Sequence, residues 1–177
     1  MISKQEEQAG VDIRKATGLS DEERDQVIEL LQKAYNMELE TVSNYLANSI
    51  HLDGMLAMEV KESLEEDVNE ELSHARKLAN RIKVLGGYIP GSQELAMEQT
   101  TMQPPRDTVD VLSVIKGVID AEDAAIDHYQ KIIHATGDDK DPVTQDLAIT
   151  LKADEEEHRR EFAGFLREFE VLKEMYK

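Results

Sequence analysis

Four stretches of this 177-residue chain place apolar side chains at the three-and-four spacing of a buried helix face, and a glutamate interrupts each stripe near its middle. The first stripe runs Val27, Leu31, Ala34, Glu38, Val42, Tyr45; the second runs Leu64, Val68, Glu71, Ala75, Leu78, Ile82, Leu85. The third runs Val111, Ile115, Val118, Glu122, Ala125, Tyr129, Ile132; the fourth runs Leu147, Leu151, Glu155, His158, Phe162, Phe165. In the second and fourth a histidine follows the glutamate by three positions, giving the pairs Glu71/His74 and Glu155/His158, roughly 84 residues apart. Positions i and i+3 are neighbours on a helix, so each histidine shares its glutamate's face. A chain that must bury four such faces can do so as a helical bundle closed around its own acids.

Breakers set the element boundaries. Ser20 and Glu23 form a capping box, with Asp21 and Glu22 favourable in the first turn, and the helical pattern then holds over 21–51. Asp53-Gly54 ends it, and a second helix spans 55–85 before the stop at Gly86-Gly87. Residues 87–107 contain Pro90, Gly91, Pro104 and Pro105 and read as a connection with one short turn after Ser92. Thr108 is the expected cap of a third helix over 108–136, and 137–141 is a turn. Asp141 caps the fourth helix, 142–175, with Pro142 at its first position. Residues 3–18 read as a short additional helix.

A helix of about 30 residues is about 45 Å long. The short loops after the first and third helices make antiparallel hairpins. The middle connection of 21 residues (87–107) reaches roughly 70 Å when extended, enough to run the whole bundle and leave the second and third helices parallel. The predicted fold is all-α: one domain over 1–177, a four-helix bundle of two antiparallel hairpins joined by a long crossover, with no fifth C-terminal helix.

The four glutamates lie within about three residues of the helix midpoints, so they should meet in one layer. Four buried carboxylates cannot all stay ionised without compensation, because desolvation and mutual repulsion raise their pKa values or unfold the core. Two divalent cations supply the missing charge and leave both imidazoles neutral and able to ligate. Glu38, Glu71, His74, Glu122, Glu155 and His158 are therefore the candidate metal and catalytic residues, and hard oxygen with imidazole suits iron, manganese or zinc. Tyr45 lies two turns after Glu38 and could hydrogen-bond a ligand carboxylate. His128 and His134 fall off the third stripe and are expected to be exposed; His51 sits at a helix end. The acids Glu59, Glu62, Glu65, Glu66, Asp67 and Glu70 read as a solvated face, one that could line the cavity of a hollow shell.

The net charge of −18, from 38 acidic and 20 basic residues, disfavours nucleic acid and anionic membrane partners and favours cations. The chain contains no cysteine, which excludes thiolate zinc sites and iron–sulfur clusters. No apolar run reaches the roughly 18 residues of a membrane span, and the N-terminus shows no signal-peptide pattern, so a cytoplasmic location is expected.

Met37-Glu38-Leu39 with Asn44-Tyr45, Glu71-Leu-Ser-His74-Ala, Leu85-Gly-Gly-Tyr-Ile-Pro90, Ala121-Glu122 and Asp154-Glu155-Glu-Glu-His158 resemble the motifs of the ferritin-like superfamily. The similarity covers nearly the whole chain and is closest to bacterioferritins and the bacterioferritin-like, Dps-like mini-ferritins. It implies two iron ions per subunit, with Glu71 and Glu155 bridging, Glu38 and Glu122 terminal, and His74 and His158 on one iron each. It also implies a ferroxidase that oxidises Fe(II) with O2 or H2O2 and stores the product. A rubrerythrin-like peroxidase or a manganese catalase without storage is the alternative, and a metal-free helical interaction module is a third reading. Bacterioferritins place a haem-ligating methionine where this chain has Leu72, so no haem is expected. A missing fifth helix favours a dimer-based homo-oligomer such as a 12-subunit shell. Lys4 is followed by Glu6 and Glu7 rather than by a lysine-rich tail, so no DNA binding is expected.

Overall fold

The structure, a computed structural model, describes residues 17–175. Its helices are α1 (Asp21–His51), α2 (Met58–Val84), α3 (Val111–Thr136) and α4 (Pro142–Met175), with a single 3-10 turn at Met55–Ala57 leading into α2. No strand occurs among the described residues, and no helix is long and apolar enough to cross a membrane. The expected helix over 3–18 lies outside the described residues except for Thr17 and Gly18, which are not helical.

The capping chemistry explains most of the boundaries. Ser20 and Glu23 exchange side chain and backbone in the expected box at the start of α1. Asp141 accepts from the Thr144 backbone N–H at 3.1 Å at the start of α4. At the end of α2, Gly86 takes φ +80 and the bonds Gly87 N to Ile82 O and Gly86 N to Lys83 O close the turn. Two boundaries differ from expectation. The helix read from residue 55 opens as a 3-10 turn because Gly54, at φ +98, offers no side-chain cap. The third helix is capped by Asp110 rather than Thr108: the Asp110 carboxylate accepts from the Ser113 backbone and hydroxyl, while the Thr108 carbonyl is occupied by the Asp53 N–H at 2.7 Å.

The crossover is fastened along α1, which sets its direction. Gln32 donates to the Tyr88 carbonyl, Glu40 accepts from the backbone of Glu98 and Gln99, Asn48 donates to the Met102 carbonyl, and His51 Nε2 lies 2.6 Å from the Pro105 carbonyl. The connection thus climbs beside α1 from its first turns to its last and delivers α3 to the opposite end of the bundle. It passes close to α3 at Gly117, where an added Cβ would lie 2.9 Å from Met102 Cα. The all-α, two-hairpin, long-crossover topology is as predicted, and no fifth helix follows α4 among the described residues.

The core is divided into two apolar clusters. One gathers Leu52, Leu64, Met102, Ile115, Val118 and Phe162; the other gathers Val27, Leu31, Leu78, Ile82, Ile132 and Leu151. The layer of glutamates lies between them, and each cluster sends one tyrosine toward it, Tyr45 from the first and Tyr129 from the second.

Candidate metal centre

All six predicted residues are buried and meet in that layer. Glu38, Glu71, His74 and Glu155 bring one ligand atom each within 4.8 Å of the others; so do Glu71, Glu122, Glu155 and His158. The two groups share Glu71 and Glu155, and the oxygens of those two residues are divided between the imidazoles. His74 Nδ1 lies 3.3 Å from Glu71 Oε2 and 3.2 Å from Glu155 Oε1. His158 Nδ1 lies 3.2 Å from Glu71 Oε1 and 3.3 Å from Glu155 Oε2. The rings lie nearly parallel, 22° between planes, with centroids 6.4 Å apart.

Hydrogen bonding does not account for this arrangement. Both oxygens of Glu71, Oε1 of Glu155 and Nδ1 of both histidines are buried and have no hydrogen-bond partner. Orphaned buried polar atoms are rare and costly, and five aimed at one space fit a pair of cations there.

The terminal acids are held differently. Tyr45 on α1 donates to Glu122 on α3, and Tyr129 on α3 donates to Glu38 on α1. Both tyrosines lie seven positions after a glutamate of their own helix but reach across to the other, as antiparallel helices allow. The outer face of each imidazole has an acid too: His158 Nε2 is 3.1 Å from Glu70 Oε2, and His74 Nε2 is 3.2 Å from Asp154 Oδ2. In the neutral ring a carboxylate there favours the tautomer with Nε2–H outward and Nδ1 free to ligate.

The proton inventory follows from burial and repulsion. Burial, then the charges of Glu71 and Glu155, raises Glu38 well above the usual carboxylate range, and burial with Glu155 and Glu71 does the same to Glu122. Burial opposes the charge on both imidazoles, but Glu155 and Glu71 override it and push His74 up to about 9 and His158 up to about 12. Burial also acts against Glu71, yet the neighbouring Glu38, His158 and His74 outweigh it and hold it below the ordinary value. In the cation-free centre burial and repulsion thus favour the protonated forms of Glu38, Glu122, His74 and His158, and two divalent cations would supply the same positive charge.

Two side chains expected at the surface, those of His128 and Asp67, are buried. His128, expected to be exposed, is buried: its Nε2 lies 2.8 Å from the Leu30 carbonyl, which fills the α1–α3 contact. Asp67, read as part of a solvated face, is buried beside His158, and burial pushes its carboxyl up to about 7. His134 is exposed as expected. Tyr129, Glu70 and Asp154 were not singled out as site residues. A signal for them existed: Tyr45 and Tyr129, like Glu70 and Asp154, stand 84 positions apart, the offset of the two Glu-x-x-His pairs.

On the α1–α3 side lies a groove of about 780 Å³ edged by the crossover; Met37, Ala121 and Ala124 are among the residues that line it.

A bundle of two hairpins with a paired carboxylate–imidazole layer defines a class, and the family comparison agrees: the ferritin-like domain matches residues 28–172. The chain belongs to the ferritin-like family. It is 30% identical over 164 residues to the DNA protection during starvation protein of Pyrococcus furiosus, a match covering 90% of this chain and 81% of that protein. Among solved structures it resembles a dodecameric thioferritin, the bacterioferritin-related protein of Bacteroides fragilis, with a TM-score of 0.79, 26% identity, and coverage of 86% of this chain and 91% of that one. It also resembles the bacterioferritin of Desulfovibrio desulfuricans, solved with its diiron site in different catalytic states, with a TM-score of 0.71, 26% identity, and coverage of 88% and 86%.

Proposed function

We propose that this protein is a ferroxidase that detoxifies and stores iron, taking two Fe(II) ions per chain as substrate and O2 or H2O2 as oxidant. The observation that carries the reading is the division of the Glu71 and Glu155 oxygens between His74 and His158, with five of these buried atoms left without a hydrogen bond. Two carboxylates so placed would bridge a cation pair. Glu38 with His74 would complete one position, and Glu122 with His158 the other. Manganese or zinc would satisfy the same donors.

The chain's part in the reaction is to fix the spacing of the pair, neutralise its charge and keep the space dry. Glu38 and Glu122 give up their protons on loading, and Tyr129 and Tyr45 hold the resulting carboxylates in place. Glu70 accepts from Nε2–H of His158, Asp154 lies 3.2 Å from Nε2 of His74, and the two acids keep each Nδ1 lone pair inward. With H2O2 as oxidant, two Fe(II) give two electrons, which with two protons make two waters; with O2 the same two electrons and two protons make H2O2.

Fe(II) oxidation by the purified protein tests this. Glu71→Ala and Glu155→Ala should each abolish stoichiometric Fe(II) binding and fast oxidation; unchanged oxidation would refute the assignment. Native mass tests the storage half of the proposal. A homo-oligomeric shell, of twelve subunits as in the Bacteroides relative, supports storage. A bare dimer that turns over peroxide and retains no iron points to a rubrerythrin-like peroxidase or a manganese catalase.

A further inference from the structure

The two hairpins repeat one another at a constant offset, and the repeat fails beside one histidine. Glu38, Tyr45, Glu70, Glu71 and His74 have as counterparts, 84 positions later, Glu122, Tyr129, Asp154, Glu155 and His158. Asp67 has Leu151. Both are buried, each one turn before the shared glutamate of its helix. Leu151 packs among Leu31, Leu78 and Ile82. Asp67 instead brings Oδ1 to 3.8 Å from His158 Nε2, and its Oδ2 is buried with no hydrogen-bond partner.

The surroundings of the two imidazoles therefore differ. His158 Nε2 faces two carboxylates, Glu70 at 3.1 Å and Asp67 at 3.8 Å. Among the described residues, His74 Nε2 has Asp154 alone, at 3.2 Å. A second difference has the same sign. Glu161, whose charge acts on Asp67, follows His158 by three positions; its counterpart, following His74 by three, is Lys77.

We infer that the two cation positions are inequivalent, and that Asp67 makes the one served by Glu122 and His158 the first to fill. This rests on the two-cation reading given above. Asp67 is a positioning residue: it touches His158, not the reacting atoms. A buried carboxylate attracts a divalent cation strongly because little water screens it. The other position has apolar Leu151 in that place.

Anaerobic titration of the intact protein with Co(II), followed by calorimetry and visible absorption, tests the inference. Two binding events per chain are expected, the first at least about ten-fold tighter, the range in which such indirect contacts act. His158→Ala should remove the tight event with its absorption bands, and His74→Ala the weak one. Asp67→Leu, which installs the counterpart side chain, should bring the two affinities together by weakening the first, and Asp67→Asn should do the same without changing shape. Asp67→Glu should restore the difference. Equal affinities in the unaltered protein, or unequal affinities that survive both Asp67→Leu and Asp67→Asn, would overturn the inference while leaving the two-cation centre standing. Failure to bind any stoichiometric Co(II) would overturn both.

Discussion

Tyr129 on α3 donates its hydroxyl hydrogen to Glu38 on α1, although a glutamate of its own helix, Glu122, lies seven positions before it. Tyr45 reaches Glu122 in the reverse sense. These crossed contacts couple the two hairpins at the level of the centre and orient the two terminal acids. Removing one hydroxyl frees the carboxylate to rotate while leaving the ring's apolar packing intact. Tyr129→Phe and Tyr45→Phe should each slow initial Fe(II) oxidation about ten-fold, with circular dichroism unchanged. Stopped-flow oxidation on the purified variants measures this; rates equal to those of the unaltered protein would show that the hydroxyls only satisfy the core.

Cation uptake should expel protons. Glu38 and Glu122 are raised well above the carboxylate range, His74 reaches about 9 and His158 about 12, so all four are shifted toward their protonated forms in the cation-free protein. Ligation requires each to lose one proton. The sign follows directly: protons compete with cations, so apparent affinity falls as pH falls and rises as pH rises toward about 9, where His74 begins to release its own. Loading two Zn(II) per chain near pH 7 should release up to four protons, as read by pH-stat titration. A release of one proton or none would show that the carboxyls are already ionised.

The scaffold beneath the centre depends on a different buried pair. Arg81 near the end of α2 holds Asp141 with bonds of 2.7 and 2.8 Å, and Asp141 also caps α4 through Thr144 N–H. Burial acts against the Asp141 carboxylate, but Arg81 and Thr144 outweigh it and hold its pKa below the ordinary value. Asp141→Ala removes the cap and leaves a guanidinium without its partner, at a cost of about 3 kcal/mol. Urea unfolding of the cation-free protein should show that loss at pH 7. Because a depressed carboxylate stabilises only while ionised, the difference between variant and parent should shrink as pH falls below about 4. A difference that persists there would assign the effect to packing.

How far the sequence carried these conclusions depended on the kind of signal. The limits of α1 and α4 were legible because capping is local: Ser20 with Glu23, and Asp141 before Pro142, act within one turn. The ligand layer was legible because an acid in an apolar stripe is conspicuous. Thr108 misled as a cap because its carbonyl is claimed by Asp53, a contact across 55 positions that no local rule includes. His128 and Asp67 misled for a related reason. Each lies just off its own stripe, and its burial is decided by another helix, α1 for His128 and α4 for Asp67. Periodicity describes one helix at a time, whereas the edges of a buried face belong to two.

The buried acids should cost the cation-free protein stability. Glu38, its carboxyl pushed up by burial, forms a buried pair with Tyr129 when the centre is empty, wedged between two apolar clusters. Replacing a buried polar pair by apolar side chains of similar volume is often neutral or stabilising by about 1–4 kcal/mol, whereas deleting one partner leaves the other unsatisfied. The double variant Glu38→Leu/Tyr129→Phe should therefore melt higher than the parent in the presence of a chelator, and the single variant Glu38→Leu lower than the double. With cations added the order should reverse. The parent then gains about 2.7 kcal/mol when free cation is a hundred times its dissociation constant, and the double variant, lacking one terminal carboxylate, gains less. Calorimetric melting of the three proteins with and without Zn(II) checks the prediction. A double variant no more stable than the parent without metal would mean that these acids are compensated within the protein itself, and that the cations are not needed to offset their burial.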